Sequence, residues 1–209
     1  MKAIKSLKIL FPLLFVCIIS CNNKRPNPNK KNKTLTKINH DDFKTIHSNF
    51  KLSSIAIENG VLKEDYKCEK KVNDVENSIP LSWENVPKGT KSLAIVMYHY
   101  PKKEDKTEIN SYLLLWDINP EITEIPYKMA PNGDWFMGAN KDGTAVSYTS
   151  PCSKGKGTHE YIIALYALSE TPAILPKFNS IDVDYNIFMN AIATVNIIDR
   201  TTLKFVDSN

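Results

Sequence analysis

The sequence lacks the local patterns that mark the commonest catalytic sites. It has no Gly-x-Ser-x-Gly nucleophile elbow, no phosphate-binding glycine loop ahead of a helix and no local pair of metal ligands. Its carboxylates form no pair in a strand context that would suggest acid–base chemistry. Internal repeats are absent too, and no second long apolar run follows the first. These absences argue against an enzyme more than for one, and they predict neither a resident metal nor a cofactor.

Acidic charge is missing from residues 22–37, which read NNKRPNPNKKNKTLTK. Such a polar, proline-containing segment cannot bury enough apolar surface to fold, so it is interpreted as a flexible tether. The first 37 residues carry a net charge of +9, whereas the whole chain carries +4. Residues 38–209 therefore carry a net charge of −5. No basic stripe with interleaved aromatic residues remains in that part, so nucleic acid is not an expected partner. The basic tether could touch anionic lipid headgroups, although a solvated spacer is the simpler interpretation.

The N-terminus has the pattern of a secretory signal, with three lysines before an apolar run from Ile9 to Ile19. The ending Ile18-Ile19-Ser20-Cys21 resembles the lipobox of bacterial lipoproteins, although the consensus prefers Leu at the first position. An ordinary signal peptide with a chance cysteine is the alternative. We expect residues 1–20 to be the signal, 21–37 the lipidated Cys21 and its tether, and 38–209 one domain. The protein would be exported and anchored to a bacterial membrane, at the outer membrane, its periplasmic face or the cell surface.

The body of the chain is rich in predicted strands and ends in strand. Alternating or continuous apolar runs predict strands over Leu52–Ile57, Leu81–Trp83, Ser92–Tyr98, Tyr112–Ile118, Tyr161–Leu168, Ala193–Ile198 and Thr202–Val206. Asn59-Gly60 predicts a turn, and Lys102 to Glu108 an exposed loop. Apolar residues at helical spacing follow Ser180 and Asp182, either of which could cap a helix. The predicted fold is mostly β, an antiparallel sandwich with one or two short helices.

The run from Tyr148 to Leu168, YTSPCSKGKGTHEYIIALYAL, combines a turn, a titratable group and a strand. The loop of backbone amides beside His159 and Tyr161 is suited to holding a small anion. From spacing alone, a histidine at a strand start satisfied by loop carbonyls is the more ordinary interpretation of His159. The pattern therefore marks a place to look for binding without identifying a ligand.

Three segments together resemble the phosphatidylethanolamine-binding protein family, also called Raf-kinase-inhibitor-like, in its bacterial YbhB/YbcL branch. They are NSIPLSWENVPKGTKSLAIVMYHYP, SYLLLWDINPEITEIP and GANKDGTAVSYTSPCSKGKGTHEYIIALYAL. The match runs from about Phe50 to Val206 and keeps the family order. The resemblance implies a sheet protein with a pocket for phosphate, acetate or a phospholipid headgroup. His159, Tyr161 and the turn Ser150-Pro151-Cys152 are the residues that it places there.

The sequence also departs from the family pattern on the opposite wall of that pocket. Met97-Tyr98-His99-Tyr100-Pro101 replaces an Asp-Pro-Asp-Ala-Pro sequence, so both carboxylates are missing. Tyr112 stands where the family has a pocket histidine. His99 and Tyr112 are therefore further candidate ligand contacts, with a surface histidine and a core tyrosine as the respective alternatives. One wall of the pocket that the resemblance implies therefore differs from the family pattern.

Cys68 and Cys152 are the cysteines that remain beyond the leader and Cys21. In an exported protein an even number of cysteines suggests a disulfide. Two free thiols are an alternative. A Cys2His2 metal site with His99 and His159 is a further one, although the spacing contains no local pair of ligands.

The favoured function is a lipid-anchored binding protein for a small anion or phospholipid headgroup, with modulation of an envelope protein as an additional expected role. A surface interaction or inhibitor protein with a vestigial pocket is one alternative. A hydrolase that uses Cys152 with His159 is the less favoured one.

Overall fold

The computed structural model describes His47 and residues 49–68, 77–102, 104, 106–152 and 155–208. The predicted signal, lipidation site and tether lie outside these residues. All of the described residues belong to one compact unit that spans residues 35–209. Within the described part of the chain, no helix has the length and apolar composition needed to cross a membrane.

Two sheets make up most of the fold. In chain order the strands are β1 Lys51–Ser53, β2 Ile57–Glu58, β3 Val61–Leu62, β4 Leu81–Glu84, β5 Ser92–His99, β6 Asn110–Ile118, β7 Glu124–Ile125, β8 Phe136–Met137, β9 Thr158–Leu168 and β10 Ile197–Ser208. The small sheet has the order β1-β4-β7, and the large one has the order β2-β3-β10-β9-β5-β6-β8. Every named pair is antiparallel except β10 with β3, which is parallel at Val206 and Val61. The predicted mostly-β class is confirmed, with a mixed large sheet.

The core lies on both faces of the large sheet. One apolar cluster joins alternate residues of β5 and β9, such as Ile95 and Leu165, to small-sheet residues such as Trp83. The other cluster joins the intervening residues to the helix α1, Tyr185–Ile192. Because successive side chains of a strand point to opposite faces, a strand covered on both sides must be apolar throughout. All eight residues of β5 are buried, which confirms the prediction from its continuous apolar run.

The Asn59-Gly60 turn is also confirmed. It joins β2 to β3 as a two-residue hairpin loop, with φ of 51° at Asn59 and 77° at Gly60. Positive φ at both central positions is what a type I′ turn requires, and asparagine and glycine tolerate it best.

Two local predictions near the C-terminus were wrong. The helix cap is Asp184, whose side chain accepts a hydrogen bond from the Ile187 amide at 2.8 Å. Ser180 instead accepts from the Asp182 amide at 3.2 Å, in the turn before the helix. No strand begins at Ala193, because that residue still bonds back to Met189 at the helix end. The last strand is one element, β10, because it pairs with β9 along its length.

Candidate functional site

The two candidate histidines meet where the central strands of the large sheet end. His99 is the last residue of β5 and is paired in register with Tyr161 of β9. His159 lies two residues before Tyr161 and therefore on the same face of β9. The ring centroids of His99 and His159 are 5.6 Å apart. Residues from two strands that are distant in sequence are thus brought side by side.

A notch exists beside His159 because β5 stops short of the start of β9. β9 begins at Thr158, whereas its last partner on β5 is opposite Tyr161. On the other side, β10 continues to pair with β9 as far as Thr158. The first three residues of β9 therefore have a strand on one side only. The chain that leaves β5 at Tyr100 bounds the open side.

This notch forms a cavity of about 660 Å³. It is lined by three groups of residues: His99, Tyr100, Pro101 and Lys106 from β5 and the segment after it; Lys156, Gly157, Thr158, His159, Glu160 and Ile162 from β9 and the loop before it; and Lys204 and Val206 from β10. Of the residues predicted from the sequence as ligand contacts, His99 and His159 lie on its wall. The lysines and Glu160 were not predicted as lining residues. The alternation of side chains along β9 could have indicated that Glu160 and Ile162 lie on the opposite face from His159 and Tyr161.

Tyr112 and Tyr161 lie behind the cavity wall, within the apolar core. Tyr161 is fully buried between two rings, with His99 at 5.1 Å on one side and Phe205 at 5.3 Å on the other. Tyr112 packs edge-on against Tyr161 at 5.2 Å. Burial raises the pKa of both phenols, so they stay protonated at neutral pH. These aromatic rings support His99 from behind.

His99 is held in its neutral form. It is nearly buried, and its Nδ1 atom has no hydrogen-bond partner within the protein. Desolvation, and secondarily the charge of nearby His159, lower the pKa of His99 to about 4. A buried polar atom without a partner costs free energy unless water or a ligand satisfies it. His99 therefore places an unsatisfied polar atom, itself shielded from solvent, beside the cavity.

His159 is oriented by its own loop. Its Nε2 lies 2.9 Å from the carbonyl oxygen of Gly155, which can only accept, so Nε2 carries the hydrogen. Gly157 lies between them with a φ of 105°, a backbone conformation that other residues adopt with strain. The interpretation from spacing alone, a histidine satisfied by loop carbonyls, thus describes one of its two nitrogens. Among the residues that the structure describes, the other nitrogen, Nδ1, has no hydrogen-bond partner.

The turn Ser150-Pro151-Cys152 does not contribute to the cavity wall. Ser150 and Pro151 are buried, and Cys152 forms a disulfide with Cys68, with their Cα atoms 5.6 Å apart. Both sulfurs are thereby withdrawn from the Cys2His2 cage. Among the described residues, no group of three or more His, Cys, Asp or Glu side chains is placed to hold a metal ion.

A buried ion pair adjoins the disulfide. The ammonium group of Lys67 lies 2.7 Å from a Glu64 carboxylate oxygen and 3.2 Å from one of Asp207. The hydrogen bond to Glu64, assisted by Asp207, raises the pKa of Lys67 despite its burial. The pair and the disulfide together tie the segment before Cys68 to β10 and to the turn that holds Cys152.

The architecture defines a class of two-sheet proteins with a cavity at the ends of the central strands. The family model of phosphatidylethanolamine-binding protein matches residues 53–204. The chain belongs to the phosphatidylethanolamine-binding protein family, as the resemblance of its motifs predicted.

Relatives and solved structures agree with this assignment. A UPF0098 protein of Methanothermobacter thermautotrophicus is 30% identical over 130 residues, which cover 59% of this chain and 79% of the relative. One of Aquifex aeolicus is 27% identical over 139 residues, 64% of this chain and 76% of the relative. Crystal structures of the homologue CT736 from Chlamydia trachomatis and of E. coli YbcL match with TM-scores of 0.64 and 0.62. Their identities are 20% and 19%, and each match covers 78% of this chain and 99% of the other.

Proposed function

We propose that this protein is an exported, lipid-anchored binding protein that holds a small anion or an anionic headgroup in the notch beside His99 and His159. The observation that carries the proposal is the pair of imidazole rings of His99 and His159, with centroids 5.6 Å apart, among the residues that line a cavity. Lysine side chains from three segments line the same cavity and favour a negatively charged occupant. A bound anion would accept hydrogen bonds from imidazole N–H groups, more strongly from a protonated ring.

Anion binding is expected to be linked to proton uptake. A negative charge beside His99 favours the imidazolium form and therefore raises its pKa from the low value in the free protein. The anion would also offset the repulsion that His159 exerts on a charged His99. For an anion whose own charge is constant over this range, such as sulfate, binding should consequently tighten as the pH falls from 8 toward 6. An affinity for sulfate that does not change over this range would contradict the proposed proton uptake.

The proposal is tested by NMR titration of the full-length chain with inorganic phosphate. The protein has four histidines, so His40 and His47 serve as internal controls for His99 and His159. We expect millimolar phosphate to shift the ring signals of His99 and His159 while leaving those of His40 and His47 in place. His159→Gln should weaken binding about tenfold, because a charge-assisted hydrogen bond is lost. If neither signal moves, or if all four move together, the anion site is refuted.

Lipid anchoring is a separate part of the proposal and rests on the residues before Cys21. Expression in a bacterial host should place the protein in the membrane fraction, and mass spectrometry of the N-terminal peptide should show acylation of Cys21. Cys21→Ala should release the protein from membranes. Unmodified Cys21 in the mature protein would support an ordinary signal peptide instead.

The surface interaction or inhibitor protein remains the second candidate, because the two carboxylates of the family pattern are replaced here and Tyr112 and Tyr161 are buried. Capture of an envelope protein that persists in His99→Phe and His159→Gln variants would favour it. The hydrolase alternative requires a thiolate at Cys152, and the disulfide with Cys68 removes that thiolate. Binding of a partner protein is thus compatible with this structure. Catalysis by Cys152 would first require reduction of its disulfide with Cys68.

A further inference from the structure

The disulfide between Cys68 and Cys152 lies close along the chain to the loop that orients His159. Cys152 comes shortly before Gly155, whose carbonyl oxygen accepts the hydrogen bond from His159 Nε2 at 2.9 Å. Residues 155–157 are exposed, and two of them line the cavity, so burial contributes little to their position. The disulfide at one end of the loop and β9 at the other therefore determine where the loop lies.

The Cys68 end of the disulfide is fastened to the strand beside His159. Lys67, the residue before it, lies 3.2 Å from a carboxylate oxygen of Asp207 on β10. Asp207 is paired in register with His159 across β10 and β9. The ion pair, the strand pairing and the disulfide thus form one closed circuit, and His159 is part of it. Opening the disulfide releases the loop side of this circuit, whereas the strand side keeps its backbone hydrogen bonds.

The disulfide is accessible to a reductant. Cys152 is exposed and Cys68 is half-buried. Neither residue belongs to the two apolar clusters of the core. Thiol–disulfide exchange requires that a thiolate reach one of the sulfurs, and exposed disulfides are the ones that exchange most readily. Reduction therefore acts on the loop while the packing of both clusters stays in place.

We propose that this disulfide is a redox switch for the histidine cavity. When it is closed, the loop holds His159 through the Gly155 carbonyl and keeps Lys156 on the cavity wall. When it is open, the loop moves freely, so the orientation of His159 and the position of Lys156 beside an anion are lost. The disulfide form is the binding form, and the dithiol form binds weakly. This inference rests on the proposed anion site and names a regulation of that site.

The switching step is an exchange with a small dithiol. A thiolate of the dithiol attacks Cys152, the more exposed of the two residues, the bond between the cysteines breaks, and Cys68 leaves as a thiolate. The second thiolate of the dithiol then attacks the dithiol's own sulfur in this mixed disulfide and displaces Cys152. The protein gains two electrons and two protons, all from the dithiol, which ends as a cyclic disulfide.

Dithiothreitol tests the switch on the full-length chain. Without ligand, reduction should move the NMR ring signals of His159, because the hydrogen bond to Gly155 is lost. It should leave those of His47, which is bound to Asp199 at the other end of β10, in place. Inorganic phosphate is then titrated into the oxidised and the reduced protein. We expect about tenfold weaker binding after reduction, the loss of one charge-assisted hydrogen bond, and recovery after reoxidation with oxidised glutathione.

Two variants separate the switch from side effects of the reductant and from stability. Cys68→Ser/Cys152→Ser should bind phosphate about tenfold more weakly than the oxidised protein, and dithiothreitol should not change its affinity further. Asp199→Asn weakens the fold at the far end of β10. It should keep the phosphate affinity of the native protein and the same response to dithiothreitol, because a general loss of stability does not release the loop.

The results distinguish the switch from the anion site. Equal phosphate affinities of the oxidised and reduced proteins overturn the switch while the anion site stands. An effect of dithiothreitol that persists in the double variant overturns it as well, since no disulfide is left to open. Unfolding of the reduced protein overturns it in favour of a purely structural bond. Phosphate binding to neither form, with His159 still moving on reduction, refutes the anion site but supports the control of the loop.

Discussion

His99 stacks on Tyr161 with ring centroids 5.1 Å apart and an angle of 25° between the planes. The two residues are opposite each other on β5 and β9, so the sheet register fixes the contact. Phe205 continues the stack on the far side of Tyr161, at 5.3 Å and 14°. An imidazole in this position loses hydration, and its neutral form is favoured for that reason. A bound anion would oppose this effect and favour the protonated form.

His99 should make the protein less stable in acid. Its pKa is about 4 in the folded protein and about 6.5 unfolded, so the unfolded state binds the extra proton first as the pH falls. Stability is thus lost progressively between pH 6.5 and pH 4, by at most about 3 kcal/mol. His99→Phe keeps a ring on Tyr161 and removes the titration. Urea unfolding at pH 7 and pH 4.5 should show a smaller acid loss in the variant than in the native protein. Equal losses in both would contradict the assignment.

Lys67→Met should destabilise the fold by about 3–5 kcal/mol. The substitution removes the cation that lies 3.2 Å from Asp207, a carboxylate with 1% exposure, and removing one partner of a buried ion pair is costly. Lys63→Met, four residues earlier and exposed, should change the free energy of unfolding by less than about 0.5 kcal/mol. Urea denaturation of both variants provides the measurement. A loss of under 1 kcal/mol for Lys67→Met would mean that the pair is solvated.

The disulfide between Cys68 and Cys152 should stabilise the folded state by about 2–5 kcal/mol. It closes a long loop, with a sequence separation of 84, and cross-linking removes conformational freedom from the unfolded chain. The double variant Cys68→Ser/Cys152→Ser should therefore unfold at a lower denaturant concentration than the oxidised protein. Non-reducing peptide mapping should recover the two cysteines in one linked peptide. Free thiols at both positions in protein purified from an oxidising compartment would count against the link.

Asp199 should matter more to stability than the histidine bound to it. This fully buried carboxylate accepts hydrogen bonds from the His47 amide at 2.7 Å and from the Arg200 amide at 2.7 Å, and His47 Nδ1 lies 2.9 Å away. Asp199→Asn removes the charge from all three contacts and should cost about 2 kcal/mol. His47→Ala removes a half-exposed ring but keeps the amide, so it should cost under about 1 kcal/mol. Thermal unfolding of the two variants gives the comparison, and the reverse order would show that the ring dominates.

Local sequence determined much of the sheet and of the helix, because their signals lie within one segment. The continuous apolar run over β5 leaves no polar face for solvent, so a strand buried on both sides is the arrangement that satisfies it. Asn59-Gly60 specified its own turn through positive φ values. The cap of α1 was misassigned by a few residues, because Ser180, Asp182 and Asp184 are all suitable caps and packing selects among them.

The binding cavity depended on relationships that no single segment contains. The sequence by itself determined that His159 begins a strand and that His99 replaces an acidic residue of the family pattern. Only the tertiary structure decided that Tyr161 and Tyr112 lie behind His99, and that Lys106, Lys156 and Lys204 surround the cavity. The physical reason is that the alternation of side chains along a strand, which is a local property, fixes the face on which each side chain lies. The point at which a neighbouring strand ends depends on the pairing of segments that are distant in sequence. Here β5 ends at His99, short of the start of β9, and the notch is the space left between them.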